Sequence, residues 1–154
     1  MEIQSRYDLF EPGDKTALVC IDYHEVQKLV IDQLTALDYR IHTGLFAEDI
    51  SLKLQTHTYD VVVIDENFNE ADIETNQVLN ECKRLPMRTR RQQFIVLLGP
   101  NMVTNNAMQA FQYSVDLVCS LSDLVNLTPV FRRGVARHRE FYKHLVELLQ
   151  VAGA

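Results

Sequence analysis

Apolar positions in this chain alternate between short unbroken runs and helical stripes. Ala17-Leu18-Val19-Cys20-Ile21 is an uninterrupted run, the pattern of a strand buried on both faces. From Asp22 to Leu37, Val26, Leu29, Val30 and Leu34 recur at helical spacing. Arg40–Leu45 reads as a weaker strand and Ala47–Gln55 as a short helix. Tyr59–Ile64 is the strongest strand, and Ile73–Leu85 is helical and ends near Pro86. Phe94–Leu98 is another buried strand, followed by Gly99-Pro100. Thr104–Tyr113 reads as a short helix and Val115–Cys119 as a fifth strand. Leu127 to Leu149 is a long final helix with Pro129 in its first turn, where proline is tolerated.

Strands separated by helices predict a parallel sheet with right-handed crossovers. The expected fold is α/β: a single doubly wound five-stranded sheet, flavodoxin-like (βα)5, in the order 2-1-3-4-5. The 154 residues suit one domain. We expect a leader over 1–15, with a turn at Pro12-Gly13, a domain over 16–150 and a short tail over 151–154. No apolar run approaches the roughly 20 residues that cross a bilayer. The first ten residues show no basic region ahead of an apolar core. The expectation is a cytoplasmic protein with no membrane partner.

Charge divides the chain. Residues 1–82 carry 17 acids and five bases, whereas residues 83–154 carry ten bases and four acids. The bases cluster at Lys83–Arg91 and again from Arg132 to Lys143. Net negative charge and the lack of aromatics among the bases argue against nucleic acid. An acidic partner or a solvated loop both remain open for the Lys83–Arg91 segment. Cys20, Cys82 and Cys119 are an odd set without paired spacing, so neither a disulfide framework nor a zinc site is expected.

Ligands of such sheets bind at the carboxyl ends of the strands. Those ends carry Asp22-Tyr23-His24, Asp65-Glu66-Asn67, Gly99-Pro100 and Ser120-Leu121-Ser122. On these residues, and on the strand Tyr59–Asp65, the chain resembles the receiver domains of two-component response regulators from about Thr16 to Leu148. The resemblance places Asp65 at the phosphoacceptor position. It implies a Mg²⁺ site built from Asp22, Asp65 and the backbone carbonyl of Asn67.

The departures point the other way. The family carries an acidic pair after its first strand, but here Asp22 is followed by Tyr23 and His24. Glu25 and Glu66 are the available substitutes. The family's switch hydroxyl after strand four is replaced by Gly99, and its lysine after strand five by Ser120, or by Ser122 if the register slips by two. That lysine neutralises developing phosphoryl charge, and preorganised charge is usually the main catalytic contribution. No nucleophile–base–orienter set and no glycine-rich phosphate loop is present, so no enzyme and no required cofactor is expected, Mg²⁺ being the one possibility. His24 reads as a solvent-facing first-turn residue.

From Gln92 to Val115 no residue carries a formal charge. Charge depletion with methionine and aromatic residues is what interface cores show. The residues expected to meet a partner are Met102, Asn105, Asn106, Gln109, Gln112 and Tyr113, with Arg133 and Arg137 on the last helix. In receivers this face commonly mediates dimerisation. Three readings follow: a pseudo-receiver that signals or scaffolds as a homodimer, a phosphorylatable receiver using Asp65, and a dimerisation domain of a larger protein.

Overall fold

A computed structural model describes residues 11–44 and 46–153. Most of the expected leader, residues 1–10, lies outside the described residues. The strands are β1 (Lys15–Cys20), β2 (Tyr39–Thr43), β3 (Val61–Asp65), β4 (Phe94–Gly99) and β5 (Leu117–Ser120). The helices are α1 (His24–Ala36), α2 (Ala47–Thr56), α3 (Gln77–Arg84), α4 (Met87–Gln92), α5 (Ala107–Tyr113) and α6 (Leu127–Gly153). All strand pairs are parallel, in the order β2-β1-β3-β4-β5, as the apolar pattern predicts.

The strands read as unbroken apolar runs because both sheet faces are covered. Alternate residues Ala17, Val19, Val61, Val63 and Val96 pack with Val30 and Leu34 of α1 and with Phe131 of α6. Leu18, Cys20, Val62, Ile64 and Leu97 point to the other face, against Ile50 of α2 and Leu79 of α3. The period-two alternation of a strand thus feeds two separate cores.

At the amino ends of the strands two aspartates stitch neighbours together. Asp60, just before β3, accepts the Thr16 N–H at 2.8 Å through its carboxylate. Asp116, just before β5, accepts the Ile95 N–H at 2.8 Å in the same way. Each satisfies a strand-end donor that the ladder leaves open.

The strand bounds shift by one or two residues from the sequence pattern, and the helices differ more. The third helix starts at Gln77 rather than Ile73, because Asp72 accepts the Glu74 and Thr75 N–H groups in a turn and Asn76 then caps the helix. The next predicted helix, α5, starts at Ala107 rather than Thr104, capped by Asn106, whose Oδ1 accepts the Gln109 N–H at 3.0 Å. The basic segment is not all loop: Pro86 leads into the six-residue helix α4, which has no apolar stripe to announce it. The last helix continues to Gly153, through the residues read as a tail.

Candidate functional site

The fold brings the four strand ends of interest to one edge. Asp65 is the last residue of β3, Gly99 of β4 and Ser120 of β5, and Asp22 follows β1 by two. Each carboxylate already has a local donor. Asp65 Oδ1 accepts the Asn67 N–H at 3.0 Å, and Asp22 Oδ2 accepts the Asn69 N–H at 2.6 Å. Asn67 spends its amide on the Ala71 carbonyl at 3.0 Å. Burial pushes the Asp65 carboxyl above the ordinary carboxylate value, the Asn67 N–H partly offsets this, and the charges of Glu66 and Asp22 raise it further. Both charges acting on Asp65 are therefore negative. Among the described residues, no three His, Cys, Asp or Glu side chains converge as a metal cluster.

Glu66 explains Gly99. Its side chain is buried, and its carboxylate accepts the Asn101 N–H at 2.8 Å and lies 3.3 Å from Asn101 Nδ2. A Cβ on Gly99 would stand 2.1 Å from Glu66 Oε1. The glutamate thus occupies the space that a threonine or serine side chain would need at position 99. Its carboxylate is already engaged by Asn101. Mg²⁺ prefers an octahedral shell of hard oxygens. Two carboxylates already bonded to backbone, one carbonyl and no third acid fit that ion poorly.

Ser120, at the lysine position, turns its hydroxyl to Ser122, 2.9 Å away, and accepts the Ser122 N–H at 3.3 Å. Asn76 was not singled out by the sequence. It is fully buried and donates to the Asp65 and Glu66 carbonyls at 2.9 and 3.1 Å while capping α3. One side chain therefore fixes the backbone on both sides of the Asp65–Glu66 bond. Its signal was its type, since asparagine is a preferred helix cap. The thiols take no part: Cys20, Cys82 and Cys119 are buried, and burial pushes Cys82 up to about 12.

The expected partner face divides. Met102 is buried in the core with Leu97 and Val118, so it is not a contact residue. It precedes α5 and packs inward, where methionine fills gaps as readily as it fills interfaces. Tyr113 is half-buried against the same core. Asn106 and Gln109 spend polar atoms locally: Gln109 accepts the Val103 N–H at 2.7 Å and donates to the Asn101 carbonyl at 3.0 Å. Asn105, Gln112, Arg133 and Arg137 are exposed. Between α5 and α6 runs a groove of about 430 Å³ lined by Asn106, Phe111, Arg137 and Phe141, among others. Phe111 and Phe141 stand in its walls, and Met108 lies one turn before Phe111 on α5. Met108 is 76% exposed, Phe111 83% and Phe141 62%.

The final helix adds a second exposed apolar feature. Its aromatic contacts with the sheet end near His138, whose ring meets Phe94 at 5.4 Å. About 15 Å of helix continues past Tyr142. Leu148, Leu149 and Val151 lie exposed there, as does Phe141 just before it. Phe141, Leu145, Leu148 and Ala152 follow in steps of four, three and four. That spacing is the seam of a helix that meets another helix, and it was available in the sequence.

No protein-family model matches the chain, and no curated protein is similar to it in sequence. Solved structures are similar in fold. A response regulator from Hahella chejuensis superposes with TM-score 0.56 at 21% identity, over 81% of this chain and 92% of that one. The receiver domain of a sensor histidine kinase from Pseudomonas aeruginosa, with a magnesium ion coordinated in its active-site cleft, superposes with TM-score 0.62 at 16% identity, over 80% and 99%. NtrX from Brucella abortus, in complex with ADP, gives TM-score 0.62 at 13% identity over 90% of this chain, which spans only 30% of its length. Among the described residues no helix is long and apolar enough to cross a membrane. The strand order, the crossovers and these superpositions together give this chain the CheY-like receiver fold of response regulators.

Proposed function

We propose that this chain is a non-catalytic signalling or scaffolding module that binds protein through the α5–β5–α6 face and pairs with a second copy of itself. The observation that carries this reading is the exposed apolar ridge of Met108, Phe111 and Phe141 beside the α5–α6 groove. Phe111 and Phe141 line the groove and Met108 stands one turn before Phe111 on the charge-free helix; exposed apolar side chains grouped in this way are costly in water unless a partner covers them. The exposed seam of α6 extends the same surface.

The carboxyl edge supports the non-catalytic half of the reading. Gly99 offers no hydroxyl, Ser120 no cation, and Glu66 fills the space beside Gly99. A second reading, phosphorylation of Asp65 with Mg²⁺ held by Asp22, draws support from the closeness of the Asp22 charge to the Asp65 carboxyl at the strand ends. Mass spectrometry after incubation with acetyl phosphate and Mg²⁺ separates the two, because only the second predicts a phosphoryl adduct on Asp65.

The pairing is tested by sedimentation equilibrium of the full chain beside Phe111→Glu and Phe141→Glu. The expected result is a dimer that both substitutions dissociate without changing the far-ultraviolet circular dichroism. A wild-type chain that stays monomeric at high micromolar concentration contradicts the homodimer.

A further inference from the structure

At the amino ends of the strands, opposite Asp65, a cavity of about 570 Å³ opens between α4, the sheet and α6. The volume lies within the roughly 300–1,000 Å³ typical of small-molecule sites. Four cations line it: Arg88 and Arg91, three apart on α4, and Arg139 and Lys143, four apart on α6. Like charges at these spacings destabilise a helix, and here two such pairs face one space. Among the described residues, none of the four enters an ion pair, whereas Arg90 between them is engaged with Asp116 and the Ser114 carbonyl. Two acids also line the cavity: Asp60, whose carboxylate is bonded to Thr16, and Glu147.

The remaining wall is aromatic and apolar. Tyr39 and Phe94 form its floor, their rings buried and packed edge-on against Phe131, and the half-buried Tyr142 on α6 is the ring at its rim. Two cationic pairs and a half-buried tyrosine around one cavity match a ligand with a planar ring and more than one phosphate. Guanidinium groups bind phosphate oxygens in bidentate fashion, and tyrosine rings stack on bases. We propose that this cavity is a binding site for a nucleoside diphosphate. The exposed seam of α6 lies about 170° around the helix from Arg139 and Lys143, at about 100° per residue. Helix pairing along that seam leaves the cavity open, so the site stands independently of the proposed dimer.

The test is an amide-shift NMR titration of the full chain with GDP and, separately, with inorganic pyrophosphate and a glutamate-rich decapeptide. The expected result is saturable shifts at Arg88, Arg91, Arg139 and Lys143 with GDP, none at Asp22 or Asp65, and pyrophosphate weaker by roughly tenfold. Arg139→Glu with Lys143→Glu weakens GDP by at least about tenfold. Exposed Arg88→Glu, which leaves α6 untouched, weakens it in the same direction. The proposal is overturned if GDP gives no saturable shift at millimolar concentration or if pyrophosphate binds as tightly as GDP. It is equally overturned if the decapeptide binds more tightly than GDP, or if both sets of charge reversals leave GDP affinity unchanged in a chain with wild-type spectral dispersion.

Discussion

The two edges of the sheet treat their acids in opposite ways. At the carboxyl edge Asp22 and Asp65 each accept a backbone N–H, and the charges acting on Asp65 are themselves negative. At the amino edge Asp116 accepts the Ile95 N–H and also faces Arg90 at 3.9 Å and His138 at 3.8 Å. The fold reserves its carboxyl edge for ligands. In this chain that edge has backbone capping, a glycine and a buried glutamate where a phosphorylation site needs a hydroxyl and a cation. The cations have gathered at the other end. A fold therefore predicts where a site can be, while the side chains decide whether it is one.

The contrast is most sharply broken at Asp116. Asp116→Ala removes the cap on β4 and leaves Arg90 and His138 without their acid. The expected loss is about 3 kcal/mol, in the range for breaking a buried charged pair, read from urea unfolding midpoints. Asp22→Ala, at the carboxyl edge, removes one exposed backbone bond and should cost well under half of that. Equal losses would mean the two edges are held alike.

Restoring the family's hydroxyl should also be costly. Gly99→Thr drives a Cβ into Glu66 and is expected to destabilise by about 1–3 kcal/mol, the range for overpacking. Glu66→Ala in the same chain should recover part of that loss, a non-additivity that a double-mutant cycle reads directly. Asn76→Ala is expected to cost about 1–2 kcal/mol through the lost helix cap and the two freed carbonyls.

The smallest expected effect is that of pH. Burial lowers His57 and His138 from the ordinary value near 6.5, with Asp60 and Asp116 respectively opposing it. A lowered folded value means the unfolded chain takes the proton more readily. Stability from these two groups is therefore complete above pH 6.5 and falls as the pH drops through the folded values. Thermal midpoints should decline from pH 7.5 toward 5.5. His57→Gln with His138→Gln should flatten that decline.

Much of this architecture was legible because the strands are buried on both faces and so appear as apolar runs. The carboxyl-edge residues followed from strand order alone. Other features leave no such trace. Helix α4 is Met-Arg-Thr-Arg-Arg-Gln, with no stripe to set its period. Glu66 reads as a surface acid because glutamate is almost never buried. Only its approach to Gly99 and Asn101 shows otherwise. Met102 looked like a contact residue because methionine serves cores and interfaces alike. The seam of α6 was present in the spacing from Phe141 to Ala152, but its exposure depends on where the sheet stops, which is a tertiary fact.

The most direct measurement of the central claim is an amide-shift NMR titration of the full chain with Mg²⁺ and then beryllofluoride, a mimic of aspartyl phosphate. The account predicts no saturable shift at Asp22, Asp65 or Asn67 at millimolar ligand. Saturable shifts at those residues that spread into α5 would contradict it, because they would show a carboxyl-edge pocket that still binds and still drives the partner face.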